Sequence, residues 1–290
     1  MSNKTDLSPL PTMLVEAAVR AALTEDLGDA GDITSQSTIP EGTRTRVVMR
    51  AREPGCIAGL DAARTAFRLM DPALLISVQK PDGSAVQPGD IIAAIEGDAR
   101  AIVTAERVAL NFLGHLSGIA TATSHIVEAV KGTKARICCT RKTTPGLRAF
   151  EKFAVRAGGG INHRFGLYDA VLIKDNHIAI AGSLAEAVKG ARAKAGHMVR
   201  IEVEVDTLEQ LAEALDLGVE AVLLDNMDTA TLTKAVEINE GRAALEASGR
   251  VTLDTAPGIA ATGVDYISVG WITHSAPCLD IGLDYESLVG

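Results

Sequence analysis

The chain has 290 residues, of which 47% are hydrophobic and 22% are charged, so it can bury a large core and is not a disordered protein. A formal net charge of −9 argues against nucleic acid or an anionic membrane as a partner, because the long-range field repels phosphate. No apolar run approaches the roughly 20 residues that span a bilayer, and no signal-peptide pattern lies between Met1 and Thr24. We therefore expect a cytoplasmic protein that holds any bound anion in a local basic pocket.

The first part of the chain, residues 1–117, predicts an α+β sandwich domain. Its predicted elements are a helix over Met13–Leu27 that ends at Gly28, a half-exposed strand over Thr45–Ala51, and a hairpin over Ile76–Ile95 with turns at Pro81–Gly83 and Pro88–Asp90. The segment 277–290 has no strand-helix alternation, and we expect it to join this domain.

A long helix is predicted from about Thr104 onward, at the junction with the second domain. It has two distinct stripes. The apolar stripe predicts a buried face and consists of Ala105, Val108, Ala109, Phe112, Leu113 and Leu116. A separate polar stripe contains Arg107, Asn111 and His115.

The second domain, residues 118–276, alternates short apolar runs with amphipathic segments, which is typical of βα units on a parallel sheet. The predicted strands are Ile137–Cys139, Ala170–Ile173, Val199–Val205, Ala221–Leu224, Ala243–Ala247 and Tyr266–Val269. Helix signals support this pattern: a capping box at Ser183–Glu186, N-caps at Asp206 and Asp228, and left-handed C-caps at Gly196, Gly218, Gly241 and Gly263. The fold class is therefore an α/β barrel of parallel strands.

Catalytic side chains in such barrels project from the C-terminal ends of the strands. The residues that follow the six runs are Thr140–Lys142, Lys174–Asp175, Glu204, Asp225, Ser248–Gly249 and Gly270. One charged residue after a strand is typical of a solvated loop, but four charged endings among six strands favour a shared pocket.

The strand Val199–Val205 is charged at every second residue, although a parallel strand covered on both faces is usually apolar throughout. Arg200, Glu202 and Glu204 must share one face, and the barrel interior is the expected one. Burying three charges without a function is costly, although a structural Arg200–Glu202 pair is an alternative.

Two kinds of loop predict anion-binding sites. Glycines after the last two strands, at Ser248–Gly249 and Gly270, lie where barrels commonly bind phosphate, with Thr273 and His274 close by; simple turns are the alternative. Cationic and imidazole side chains concentrate in and between the first two strand endings, and they predict a site for a multiply charged anion, with a solvated basic loop as the alternative. They are Arg141, Lys142, Arg148, His163, Arg164 and Lys174.

These residues resemble a known family, the quinolinate phosphoribosyltransferases, also called nicotinate-nucleotide pyrophosphorylases (carboxylating). The resemblance covers almost the whole chain, in the order of the family's motifs. The matching stretches are Glu25–Gly28 with Gly31–Thr34, Thr140–Leu147, Lys152–His177, Glu202–Val205, Leu224–Asn226, Glu246–Gly249 and Ser268–Gly270. The resemblance implies an N-terminal α/β sandwich, an open α/β barrel, and a homodimer in which Arg107 completes the neighbouring subunit's site.

The resemblance also implies a reaction and a role for each residue. Quinolinate and phosphoribosyl pyrophosphate, with Mg²⁺, give nicotinate mononucleotide, pyrophosphate and carbon dioxide in NAD biosynthesis. Glu204 and Asp225 would face the ribose and the metal, directly or through substrate or water. Lys142, Lys174, Glu204 and Asp225 would form the catalytic set. Quinolinate would be held by Arg107, Arg141, His163, Arg164 and Lys174, and phosphates by Lys142, Ser248, Gly249, Gly270 and His274.

Two positions depart from the family pattern: Arg250 stands where a glycine is usual, and Trp271 where a small residue is usual. Either change would narrow the phosphate loop, and Arg250 would alternatively add a phosphate contact. Two other functions stay open. Lys174 would form a Schiff base in an aldolase-type lyase. A non-catalytic relative, such as the family's molybdenum-operon proteins, would be expected to lack part of the cationic cage.

Overall fold

The computed structural model describes residues 7–286, with only the backbone of Glu286 included. The chain forms two compact units. The first contains the chain through Ser124, the segment Ala149–Gly159 and the chain from Ser275 onward, and the second contains His125–Arg148 and Gly160–His274. Among the described helices, none combines the length and apolar character that a membrane span requires.

The first unit is built on a four-stranded antiparallel sheet in the order β12-β1-β5-β3. Its elements up to the long helix are α1 (Thr12–Leu27), α2 (Ile33–Thr38), β1 (Arg44–Ala51), β2 (Gly55–Cys56), α3 (Leu60–Met70), β3 (Leu75–Val78), β4 (Ala85–Val86), β5 (Ile91–Asp98) and α4 (Ala99–Ala129). The last strand, β12 (Ile281–Glu286), pairs antiparallel with β1. The predicted first helix and strand are confirmed at almost the predicted bounds.

The predicted hairpin is interrupted. β3 and β5 pair antiparallel as expected, but β4 lies between them in the chain and pairs with β2 instead. Both predicted turns form, with Gly83 and Gly89 in the left-handed region that their turns require. The predicted pairing of the two strands is therefore confirmed, but the prediction missed the intervening strand β4 and its pairing with β2.

Helix α4 begins five residues before the predicted start. Its first turn is capped by Asp98, whose side chain accepts the N–H of Ala101 at 2.8 Å. The predicted apolar stripe is buried except for Phe112, which is half-buried, while Arg107 and Asn111 are exposed. His115, on the same polar stripe, contacts the buried Glu151 at 3.0 Å.

The second unit contains one six-stranded parallel sheet in the order β6-β11-β10-β9-β8-β7. Its elements are β6 (Arg136–Cys138), α5 (Arg148–Ala157, mostly in the first unit), β7 (Val171–Ile173), α6 (Asp175–Ala181), α7 (Leu184–Lys194), β8 (Ile201–Val205), α8 (Leu208–Asp216), β9 (Ala221–Asp225), α9 (Thr229–Asn239), β10 (Ala244–Ser248), α10 (Ala256–Ala261), β11 (Tyr266–Ser268) and α11 (Trp271–His274). All six predicted strands are present, so the predicted fold class is confirmed.

The strand order is that of a barrel whose first two strands, β6 and β7, are not paired with each other. Ile161 partly covers the free edge of β6, because its N–H donates to Ile137 O at 2.9 Å and its carbonyl accepts from Cys139 N at 3.1 Å. The barrel is therefore open on the side of β7, and all six strands present their C-terminal ends at one rim.

Two of the predicted helix caps are wrong. Asp206 is not the N-cap of α8; Thr207 is, in a capping box with Gln210, because the helix begins one residue later. Gly196 is not a left-handed C-cap, because α7 ends at Ala195 in an ordinary conformation, whereas Gly218, Gly241 and Gly263 have positive φ as expected. Ser183 and Asp228 accept N–H groups from Glu186 and Thr231, so both are N-caps.

Candidate active site

A cavity of about 420 Å³ lies at the C-terminal ends of the barrel strands. Its wall combines cationic, carboxylate and hydroxyl side chains with two leucines. The lining residues are Thr140, Arg141, Lys142, His163, Arg164, Leu172, Lys174, Glu204, Leu223, Asp225, Glu246, Ser248 and Ser268. Every strand except β11 carries a predicted site residue here at its end or in the loop that follows, and β11 contributes Ser268.

Two arginines from the open side of the barrel face this cavity. Within residues 7–286, the Nε atoms of Arg141 and Arg164 are buried and have no hydrogen-bond partner. Burial, together with the like charge of Arg141, lowers the pKa of Arg164, and Glu202 and Asp169 oppose the shift. The Arg164 guanidinium is oriented by a bond from Nη1 to Ala170 O at 3.1 Å. The pair has unused donors, which an anion would satisfy.

Elsewhere on the wall the charges are paired. Lys174, directly after β7, donates from Nζ to Glu204 on the neighbouring strand β8. Asp225, at the end of β9, accepts from the side-chain amide of Asn226 at 2.6 Å. Lys174 is therefore paired with a carboxylate at the wall of the cavity.

His163 links the cavity to carboxylates beneath it. Its Nδ1 accepts the backbone N–H of Arg164 at 2.8 Å, so the neutral ring carries its proton on Nε2. Nε2 lies 2.9 Å from Glu202 and 3.7 Å from Glu246. A metal would need the lone pair on Nε2, so this arrangement suits a hydrogen bond from His163 to Glu202 and not a metal centre. A substrate contact to Nε2 would have to replace Glu202.

The alternating charges of β8 lie as predicted. Ile201, Val203 and Val205 are buried, whereas Glu204 lines the upper cavity and Arg200 and Glu202 line a second cavity of about 260 Å³ within the barrel. The alternative Arg200–Glu202 pair is not formed: Arg200 is directed to Glu220 O, and Glu202 bonds His163.

The phosphate-side loops are held by backbone geometry. Gly249 has φ +110°, and a Cβ there would lie 2.9 Å from the Cα of Asn226. The Asn226 N–H donates to Ser248 O at 2.9 Å. Gly270 approaches the side chain of Lys142, because a Cβ at Gly270 would lie 3.1 Å from Lys142 Cδ. Glycine is therefore required at Gly249, by close packing against Asn226 and by a positive φ, whereas at Gly270 a larger residue would press on the Lys142 side chain.

The cavity brings most of the predicted site residues together. Those that line it are Arg141, Lys142, His163, Arg164, Lys174, Glu204, Asp225 and Ser248. Gly249 and Gly270 lie in the adjoining loops, and His274 is next to Gly270. Arg107 belongs to the first unit, where its side chain is exposed.

Among the charged residues that line the cavity, one was not predicted as a site residue. Glu246 is 5% exposed, lies within β10 and faces the cavity. The signal was present in the sequence, because a single charge between Leu245 and Ala247 in an apolar strand marks an inward-facing position, as it does in β8.

Glu204 and Asp225 supply the type of ligand atom that a magnesium ion binds. Both present carboxylate oxygens to the cavity, and Mg²⁺ typically binds one or two carboxylates together with substrate phosphates and water. The donor set is therefore compatible with a metal that arrives with a phosphorylated substrate.

Comparison with known proteins shows the family of the chain. The model of the quinolinate phosphoribosyl transferase C-terminal domain matches residues 119–284, and that of the N-terminal domain matches residues 32–117. The chain is 48% identical to the nicotinate-nucleotide pyrophosphorylase (carboxylating) of Mycobacterium leprae, over 92% of this chain and 95% of the relative. It is 46% identical to the probable enzyme of that name from Bacillus subtilis, over 90% and 89% respectively.

Solved structures of similar proteins have the same fold. NadC from Streptococcus pyogenes superposes with a TM-score of 0.92 at 40% identity, covering 97% of this chain and 100% of that one. The nicotinate-nucleotide pyrophosphorylase of Francisella tularensis also has a TM-score of 0.92, at 38% identity, covering 98% and 100%. The predicted family, fold and enzyme class are confirmed, and the chain belongs to the quinolinate phosphoribosyltransferase family.

Proposed function

We propose that the strand-end cavity transfers a phosphoribosyl group from phosphoribosyl pyrophosphate to quinolinate and removes one carboxylate, giving nicotinate mononucleotide, pyrophosphate and carbon dioxide. The observation that carries the proposal is the cavity itself, in which cationic groups from β6 and β7 face carboxylates from β8 and β9. A pyridine dicarboxylate needs the first group, and a developing ribosyl cation needs the second.

The cationic side binds and orients quinolinate. Arg141 and Arg164 have donors available for carboxylates, in the planar geometry that suits a bidentate contact. Lys174 adds a point charge beside them. Together they would orient the ring nitrogen toward the ribose. Holding the two substrates in this geometry lowers the entropic part of the activation barrier.

The carboxylate side stabilises the transfer step. The ring nitrogen forms a bond to the anomeric carbon while the bond to pyrophosphate breaks, and positive charge develops on the ribose. Glu204 and Asp225 line the cavity where that charge would arise. A bound Mg²⁺ would neutralise charge on the departing pyrophosphate.

Decarboxylation follows from the product of the first step. The ring nitrogen is then cationic, and its positive charge stabilises the electron pair that stays on the adjacent ring carbon when the carboxylate leaves as carbon dioxide. That carbon then takes up a proton. The protein's contribution to this step is orientation and exclusion of water. A Schiff-base reaction at Lys174 is less well supported, because the amine is paired with Glu204.

The direct test is to incubate the purified protein with quinolinate, phosphoribosyl pyrophosphate and Mg²⁺ and to assay nicotinate mononucleotide. Nicotinate in place of quinolinate is the matched control. Product that forms with quinolinate but not with nicotinate supports the proposal. No turnover with either acceptor, or turnover with nicotinate only, would contradict it.

We further propose a cytoplasmic homodimer in which Arg107 acts in the partner's site. The exposed position of Arg107 on α4 supports this role. Mixing two inactive variants, Arg107→Ala and Lys174→Ala, would then restore about one quarter of wild-type activity, because half of randomly paired dimers carry one intact site. Activity that stays at the level of the separate variants would contradict the shared site.

A further inference from the structure

The short segment after β11, which includes α11, contacts the loops on both sides of it. Trp271 is half-buried, and its indole Nε1–H donates to Val251 O at 2.9 Å. Thr273 is 2% exposed, and its hydroxyl donates to Lys142 O at 2.8 Å, with Gly270 O at 3.0 Å as a second acceptor. One side chain therefore connects to the loop after β10 and the other to the loop after β6.

Both connected loops carry groups that face phosphate in the proposed function. Ser248 and Gly249 precede Val251, and Lys142 carries the cation. The Lys142 side chain is additionally confined by the close approach of Gly270. Trp271 and Thr273 are not among the residues that line the cavity in the described chain, so they would act through these neighbours.

The loops need such support because little regular structure holds them. Residues 139–147 lie between β6 and α5 without helix or strand, and residues 249–255 lie between β10 and α10. Fixing the backbone of a loop costs conformational entropy, so a loop that is ordered before ligand binding binds more tightly than one that the ligand must order.

We propose that Trp271 and Thr273 are positioning residues, which hold the Val251 and Lys142 loops at a fixed spacing for the pyrophosphate group of the phosphoribosyl donor. The inference rests on the proposed function and deepens it. It assigns the spacing of the phosphate loops to two side chains outside the cavity.

Three variants isolate the two bonds. Trp271→Phe keeps an aromatic ring and removes the donor, Thr273→Val keeps the shape and removes the hydroxyl, and Thr273→Ser keeps the hydroxyl. We expect the first two to raise KM for phosphoribosyl pyrophosphate about tenfold, the usual effect of one lost hydrogen bond, with KM for quinolinate almost unchanged. Thr273→Ser should behave as wild type.

A binding measurement removes the dependence on activity. Calorimetry with inorganic pyrophosphate and Mg²⁺ should show the same weakening in Trp271→Phe and Thr273→Val. Trp271 is the chain's single tryptophan, so wild-type fluorescence at saturating pyrophosphate should differ from that of the free protein.

Two outcomes would overturn the inference. In one, both variants bind pyrophosphate as tightly as wild type. In the other, KM rises equally for both substrates while the melting temperature falls, which would indicate a general structural role. Failure of wild-type turnover would instead remove the proposed function, and pyrophosphate binding would still test the two bonds.

Discussion

The two sides of the cavity are constructed by different means. The side formed by β6, β7 and β8 uses charged side chains, with Arg141 and Arg164 facing the cavity and Lys174 bonded to Glu204. The side formed by β10 and β11 uses glycines, backbone groups and long-range hydrogen bonds, such as that from Trp271 to Val251. The first side therefore depends on the identity of single residues, and the second depends on the spacing of loops.

The largest expected effect tests the charged side. Arg141→Ala and Lys174→Ala should each lower kcat/KM about 100-fold or more, because each removes a cation that would contact quinolinate. Neither should change the fold, since Lys174 is 44% exposed and Arg141 lies in a loop. Steady-state kinetics and circular dichroism would measure both effects.

Lys189→Ala is the matched control, because Lys189 forms an exposed pair with Glu186 on α7. It should retain wild-type kinetics. An active double variant, Arg141→Ala with Lys174→Ala, would show that the cationic side does not bind the substrate.

A smaller effect is expected on the loop side from Gly249→Ala. The new methyl group would contact Asn226, and φ of +110° is unfavourable for alanine, so we expect about 1–3 kcal/mol of lost stability and a higher KM for phosphoribosyl pyrophosphate. Urea unfolding and kinetics measure the two quantities separately.

Gly190→Ala, in the same unit, is expected to change the stability of the protein in the opposite direction. Gly190 lies within α7, and a Cβ at this position would meet nothing within 4 Å, so alanine should stabilise the protein by about 0.5–1 kcal/mol. If both substitutions shift stability in the same direction, the loop side does not depend on glycine as described.

The two sides also differ in how far the sequence predicted them. Lys174 and Asp225 follow apolar runs directly, and Glu204 lies on the charged face of the alternating strand β8, so strand periodicity alone locates them at one rim. The bond between Thr273 and Lys142 joins residues 131 positions apart in the chain, and no local pattern encodes it. Asp206 illustrates the same limit within one turn of a helix. Asp206 and Thr207 are both favourable N-cap residues, and the capping box between Thr207 and Gln210 makes Thr207 the N-cap.

The smallest expected effect concerns the carboxylates beneath the arginines. Glu202 is bonded to His163 and opposes the pKa lowering of Arg164, so its charge offsets the repulsion between Arg164 and Arg141. Glu202→Gln keeps the shape and removes that charge. We expect the ligand-free melting temperature to fall by about one or two degrees, because Arg164 and Arg141 lose a negative charge that offsets their mutual repulsion.

Quinolinate should reverse this loss, because its carboxylates supply negative charge to the same arginines. The rise in melting temperature on adding quinolinate should therefore be larger in Glu202→Gln than in wild type, whereas the exposed control Glu186→Gln should match wild type. Equal ligand-induced shifts in all three proteins would mean that the arginines do not meet the substrate's carboxylates. The compensation between Glu202 and a bound dianion is thus the most sensitive test of where the charged side places its ligand.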